Sequence, residues 1–234
     1  MIARADFIEG MAKGLAVLES FDTERQRLNA TLAAQRAGIT RAAARRHLLT
    51  LAHLGYLETD GSWYWLAPKV LRFSGSYLAT ARLPRALQPT LDRLAARTGE
   101  AFSAVVLDGE HVVIVARGGR NRLSAYGLHL GARLPAHAPS TGRVLLAAKP
   151  RAQLAGWLKG RELLEQVRAQ DFCVASEEHE LGVHALAVPL RTLEGRVVAA
   201  LNVVAHRDRV TPPLLARETL PLLQEAAREV RALL

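Results

Sequence analysis

The stretch NATLAAQRAGITRAAARRHLLTLAHLGYL, residues 29–57, decides how the N-terminal part of this chain folds. Asn29 is a side-chain cap for a short helix over Leu32 to Ala37, and Gly38 is placed to end that helix in a left-handed conformation. Thr40 then caps a further helix running to about Leu54. On it Ala44, Leu48, Leu51 and Gly55 fall on one side and Ala42, Arg46 and His53 on the opposite side, flanked by Ala43 and Arg45. Leu49 points toward the polar side, where a wing or a neighbouring helix would have to cover it. Between Arg25 and Leu57 stand six arginines (Arg25, Arg27, Arg36, Arg41, Arg45, Arg46) and no Asp or Glu. A helix-turn-helix needs this division, because its second helix shows cationic and small side chains to the major groove while the other face packs on the domain.

Arg45 and Arg46 can reach phosphates or guanine edges, and Ala42 and Ala43 let the helix approach the groove floor or touch a thymine methyl. The candidate DNA-contacting set is therefore Thr40, Arg41, Ala42, Ala43, Arg45 and Arg46. Arg25 and Arg27 precede the second helix and suit general attraction to the phosphate backbone. A single Ala/Arg-rich helix is more commonly a solvated amphipathic helix, but the flanking segments argue against that reading here. Ile8, Met11, Leu15 and Leu18 recur at helical spacing within residues 7–21, which predicts a first helix with one buried stripe. Tyr56 to Leu66 reads as two strands around Thr59-Asp60-Gly61-Ser62, a hairpin in the position of a wing.

Pro68 opens a further helical stretch in which Val70, Phe73 and Tyr77 repeat at helical spacing, and Pro84 marks a break that places a linker there. Leu87, Leu91 and Leu94 mark a helix closed by Gly99. Phe102 to Leu107 and Val112 to Ala116 pair around Asp108-Gly109, and Ala185 to Leu190 with Val197 to Ala205 form a second hairpin around Glu194-Gly195. Ser124 to Tyr126 is a weaker strand candidate, Gly142 to Ala148 looks helical, and a helix closes the chain from about Pro213 to Leu234. Antiparallel hairpins with helices before and after predict an α+β fold: a winged helix-turn-helix over residues 1–67, a linker helix over 68–84, and a mixed domain over 85–234.

A net charge of +9 and an isoelectric point near 10.5 suit a polyanionic partner. The single Cys173 excludes an intramolecular disulfide framework, fits a reducing cytoplasm and reads as a core residue. No stretch reaches the roughly 18 to 20 apolar residues of a membrane span, so a soluble cytoplasmic protein without a membrane partner is expected. His179 and His184 are five apart, which puts them on different faces of a helix. Glu177, Glu178, His179 and Glu180 read as a solvated acidic turn in preference to a metal site. Arg117, Arg120 and Arg122 around Gly118-Gly119 read as a basic surface loop. With no nucleophile elbow, P-loop or dinucleotide fingerprint, no enzyme activity, cofactor or metal is expected.

LPAHAPSTGRVLLA, residues 134–147, carries the best candidate for a ligand site. Pro139 and Ser140 precede a helix whose first free amides come from Ser140, Thr141 and Gly142, and such an end attracts anions. A carboxylate could rest on these N–H groups and on the Ser140 and Thr141 hydroxyls. The plainer alternative is an ordinary Ser/Thr cap on a structural helix.

The segments FIEGMAKGLAVLESF (7–21), TRAAARRHLLTLAHLGYL (40–57), GARLPAHAPSTGRVLLA (131–147) and ELGVHALAVPLRTLEGRVVAALNV (180–203), in this order and spacing, resemble the IclR family of bacterial transcriptional regulators over nearly the whole chain. The resemblance implies a winged helix-turn-helix, a linker helix and a C-terminal GAF-like domain that binds a small effector and oligomerises, usually in dimers or tetramers. It implies a pocket with Leu123, Tyr126 and Leu134 on one side, Ser140 and Thr141 at the helix end, and Ala185, Asn202 and Val204 opposite. Ala185 and Val204 replace polar residues of several members, and the more apolar pocket favours a ring-bearing acid. Tyr126, His129, His137 and Asn202 are then candidates for ring hydroxyls. Arg133 and Arg143 are candidates for the carboxylate if they turn inward, and whether His184 faces the pocket stays open.

The opening segment, TRAAARR and NVVAHRDRV are most similar to the subgroup responding to aromatic acids of the β-ketoadipate pathway, such as protocatechuate or 4-hydroxybenzoate. The implied partners are a palindromic double-stranded DNA operator, a small carboxylate effector, and further copies of the chain. The rival readings are a regulator of an aliphatic or sugar-derived acid, an enzyme domain fused to a DNA-binding adaptor, and a module whose winged helix binds protein.

Overall fold

The computed structural model describes residues 2–119, 129–154, 161–178 and 181–234. The chain divides into two compact units, Met1–Tyr77 and Leu78–Leu234.

In the first unit α1 (Glu9–Glu19), α2 (Ala30–Ala37) and α3 (Arg41–His53) precede a hairpin of β1 (Leu57–Thr59) and β2 (Tyr64–Leu66). The turn between α2 and α3 is made by local signals. The Asn29 Oδ1 accepts from the Thr31 and Leu32 amides at 3.0 Å, and Gly38 takes a φ of 65°, which lets the Ile39 N–H reach the Ala34 carbonyl at 3.1 Å. The Thr40 Oγ1 then accepts from the Ala43 N–H. Ala44, Leu48 and Leu51 turn inward to meet Val17, Phe21, Leu28, Ala33 and Tyr64. In the hairpin Asp60 Oδ1 accepts from the Ser62 and Trp63 amides, and Leu28 pairs with Tyr64 through both backbone hydrogen bonds as an isolated bridge beside β2.

The expected buried stripe of α1 is rotated. Ile8, Met11 and Leu15 are exposed, while Val17 and Phe21 enter the core. Gly14 lies on the side of α1 that faces α3, where a Cβ would stand at ordinary contact distance, 3.5 Å, from the His47 ring. Leu49 is also exposed, so neither the wing nor a neighbouring helix of the described residues covers it.

A 3-10 turn at Pro68–Val70 leads into α4 (Leu71–Thr80), and α5 (Arg82–Thr98) follows. The break lies at Ala81 and not at Pro84. Pro84 sits in the first turn of α5, where a missing N–H leaves no helical carbonyl unpaired.

The second unit is built on a six-stranded antiparallel sheet in the order β5-β4-β3-β8-β7-β6. The strands are β3 (Ala101–Asp108), β4 (His111–Gly118), β5 (Arg133–Pro135), β6 (Cys173–Ser176), β7 (Val183–Arg191) and β8 (Val197–His206), with α6 (Ser140–Ala147) and α7 (Arg161–Gln170) inserted between β5 and β6. One sheet face, with Phe102, Leu186, Leu201 and Val203, packs on Leu87 and Leu91 of α5 and on the C-terminal helical segment through Leu215 and Leu223. That segment runs from α8 (Pro212–Leu214) through a π turn at Leu215–Thr219 into α9 (Leu220–Glu229). The other face, with Val105, Val112, Ala187 and Ala200, packs on Val144 and Leu145 of α6 and on Leu164 and Val167 of α7. Alternation along the strands thus feeds two helical layers, giving the α+β fold. Gly118 ends β4 against α5, where a Cβ would meet the Leu91 carbonyl carbon at 2.4 Å.

Candidate functional site

On α3 the side chains of Arg41, Ala42, Arg45 and Arg46 are exposed, Ala43 is half-buried, and the Thr40 hydroxyl is taken by its cap. The six arginines of the segment divide by their partners. Arg36 pairs with Asp22, whose carboxylate also accepts the Arg25 amide. Arg27 lies 3.7 Å from Asp60 and stacks over the Trp65 ring at 4.3 Å, so its guanidinium fastens the segment before α2 to the wing. Arg41, Arg45 and Arg46 form no ion pair among the described residues. The cations left for an anionic partner are Arg41, Arg45 and Arg46 on α3 together with Arg25, of which only the backbone N–H meets Asp22, while Arg27, expected to attract the backbone, is an anchor of the wing.

In the second unit an apolar cavity opens between the α6 face of the sheet and the start of α6. Ser103, Val105, Val112, Ile114, Ala175, Val183, Ala185, Asn202 and Val204 form its floor, and Leu134, Ala138, Pro139, Ser140, Thr141 and Glu178 form its roof and rim. The helix end is held there by Gly142, since a Cβ at that position would fall 1.9 Å from the Ala136 carbonyl oxygen.

The cap of α6 is Pro139, which offers no side-chain hydrogen bond. The first helical bond is donated by the Arg143 N–H to the Pro139 carbonyl at 3.2 Å, so the amides of Ser140, Thr141 and Gly142 precede the ladder. The ordinary Ser/Thr cap is thereby excluded. The Ser140 Oγ and Asn202 Oδ1 are both buried without a hydrogen-bond partner. Polar atoms in that condition cost stability of about 1 to 3 kcal/mol each, and a ligand that pairs them recovers it.

Of the sequence-predicted pocket residues, Leu134, Ser140, Thr141, Ala185, Asn202 and Val204 meet at this cavity. Leu123 and Tyr126, with the strand proposed at 124–126, Arg120 and Arg122, lie outside the described residues. His129 and His137 are exposed and do not line the cavity. Ala136 and Ala138 take the inward positions of that turn, so His137 between them points out; the His129 ring lies against the Leu130 carbonyl. Arg133 is turned outward to Asp108 at 3.2 Å. Arg143 is mostly buried but committed: it grips both carboxylate oxygens of Glu178, and its Nε donates to the His137 carbonyl. That grip holds the Glu178 carboxyl below its ordinary value. His184 points to the opposite face of the sheet, with its Nδ1 3.0 Å from the Ser176 hydroxyl. Cys173 is buried beside Arg143, and burial raises its thiol to about 11, so it is inert core.

Sequence reasoning missed Ser103, Val105, Val112 and Ile114, although their alternation along β3 and β4 is the signal of one shared face. It also assigned Arg117 to a surface loop. Arg117 belongs to β4, pairs across from Ser103 and so shares the pocket face, and partial burial lowers its pKa.

Two family models match the chain: the IclR helix-turn-helix domain over residues 10–61 and the bacterial transcriptional regulator IclR C-terminal domain over residues 75–232. The chain belongs to the IclR family. Like other IclR proteins it is a transcriptional regulator and not an enzyme. It is 48% identical to the Pca operon regulatory protein of Acinetobacter baylyi, covering 100% of this chain and 92% of that protein. It is 47% identical to the p-hydroxybenzoate hydroxylase transcriptional activator of the same organism, covering 99% and 94%. Among solved structures, it is similar to the inducer-binding domain of a PobR double mutant from Acinetobacter in complex with 3-hydroxybenzoic acid. That match has a TM-score of 0.61 and 42% identity, covering 64% of this chain and 98% of that one. Among the described residues no helix of this IclR protein is long and apolar enough to cross a membrane, and no group of three metal-ligating side chains gathers.

Proposed function

We propose that this IclR protein is a cytoplasmic regulator whose binding to a palindromic operator is controlled by a small aromatic carboxylate bound in the cavity beside α6. Thr40, Arg41, Ala42, Ala43, Arg45 and Arg46 form the DNA-contacting surface, and Leu134, Ser140, Thr141, Ala185, Asn202 and Val204 contact the effector. The carboxylate rests on the uncapped amides of Ser140 and Thr141 and on the Ser140 hydroxyl, and the ring lies between the apolar walls. The observation that carries this reading is the pair of buried, unpartnered polar atoms, Ser140 Oγ and Asn202 Oδ1, in a cavity walled mainly by apolar side chains. The similarity to regulators named for p-hydroxybenzoate hydroxylase and the Pca operon supports an aromatic acid.

A palindrome requires at least two copies of the winged helix. The exposed Phe7, Ile8, Met11 and Leu15 at α1 supply an apolar surface suited to a second copy of this unit. The effector acts by binding one arrangement of the dimer better than another, and α4, which continues from the first unit into the second, is the covalent connection that carries the bias. The test is calorimetric titration of the full chain with aromatic and aliphatic acids, followed by operator binding at fixed salt with and without the acid that binds. A response to aliphatic or sugar-derived acids alone would overturn the aromatic reading.

A further inference from the structure

Glu178 is the only charged residue among the described residues that line the cavity. It follows β6, and it is gripped from below by Arg143, whose side chain is 11% exposed and whose Nε is itself fixed on the His137 carbonyl. Both carboxylate oxygens of Glu178 receive Arg143 and the Ser176 backbone N–H also bonds to the group, so it is held in place at the rim with acceptor capacity left for a further donor. From the sheet, Asn202 presents an acceptor, Oδ1, that has no partner. The polar lining is thus rich in acceptors away from the amides of α6.

We propose that Glu178 is a specificity-determining residue: it accepts a hydrogen bond from a hydroxyl on the effector and repels a second carboxylate, so the site takes hydroxylated monoacids and rejects diacids. This rests on the aromatic-acid reading above. A hydroxyl can donate to this carboxylate, whereas a second carboxylate in the same place has no proton to donate and meets a like charge at the rim, where Glu178 is 43% exposed. Arg143 cannot switch to the second carboxylate without abandoning Glu178 to the cavity. The lowered Glu178 pKa agrees, because it keeps the group ionised at neutral pH.

The experiment compares three acids on one ring, 4-hydroxybenzoate, benzoate and terephthalate, by calorimetry on the full chain and on Glu178→Gln. In the native protein 4-hydroxybenzoate binds at least tenfold more tightly than benzoate, and terephthalate at least tenfold more weakly than benzoate. Glu178→Gln, which keeps the shape but loses the charge, improves terephthalate relative to benzoate by at least tenfold. Terephthalate binding as tightly as 4-hydroxybenzoate in the native protein overturns the proposal, as does an unchanged terephthalate-to-benzoate ratio in the variant. If Glu178→Gln fails to fold, the native order of the three acids decides alone. If none of the three binds while an aliphatic acid does, the aromatic reading has failed and this proposal with it; if 4-hydroxybenzoate binds and the ratios do not follow Glu178, the proposal alone has failed.

Discussion

The Cα of Gly142 approaches the Ala136 carbonyl so closely that a Cβ would lie 1.9 Å from its oxygen. The obstacle is backbone, so the start of α6 has to shift to admit even a methyl group. Gly142→Ala is expected to destabilise the second unit by about 1 to 3 kcal/mol and to weaken acid binding at least tenfold. Thermal unfolding and calorimetry on the same preparation check both effects, and an unshifted affinity would show that α6 does not form the binding end.

Ser140 presents the opposite trade. Its hydroxyl is buried without a protein partner, so Ser140→Ala should raise stability, measured without added acid, by about 1 kcal/mol. The same substitution should weaken acid binding roughly tenfold, because the amides of Ser140 and Thr141 remain and only the hydroxyl is lost. Loss of stability together with unchanged affinity would make Ser140 a purely structural residue.

The arginines of the first unit should separate in their salt dependence. Arg46→Ala is expected to lower the slope of log affinity against log salt by about 1, as loss of a phosphate contact does. Arg27→Gln should weaken operator binding with little change in slope, because Arg27 is already held by Trp65 and Asp60. Equal slope changes in the two variants would mean that Arg27 contacts DNA directly.

The Glu178 carboxyl is lowered first by its hydrogen bonds from Arg143. A depressed carboxylate contributes stability that is present above its unfolded pKa, about 4.3, and is lost as pH falls through the lower folded value. The native protein should therefore unfold at a higher temperature than Glu178→Gln at pH 7, and the gap should close as the pH is taken below about 4.3. A gap that widens on acidification would contradict the ion pair.

On α1 the outward Met11 tests the proposed contact between copies. Met11→Lys alters an exposed position and should leave the monomer's stability within about 0.5 kcal/mol, while light scattering should show a shift toward smaller species. An unchanged mass would place the contact between copies elsewhere.

The elements that were readable in advance are those written in local signals. Asn29, Gly38 and Thr40 act within four residues of themselves, and the Asp60-Gly61 turn fixes its own hairpin. Periodicity locates a face but not its partner, so it places the α1 stripe on Ile8, Met11 and Leu15, whereas Val17 and Phe21 meet the core. β5 and β6 are too short to announce themselves, and α7 went unread among its charges. The helix end of the candidate site was legible from Ser140 to Gly142. The placing of Glu178 was not, since its carboxylate is held by Arg143, 35 residues away in sequence.

The most direct measurement is a crystal structure of the chain with 4-hydroxybenzoate. The expected result is one molecule per chain in the cavity beside α6, its carboxylate within hydrogen-bond distance of the Ser140 and Thr141 amides and the Ser140 hydroxyl, with Asn202 at the sheet side of the ring. A bound acid at any other place, or a cavity left empty at saturating ligand, would contradict the account.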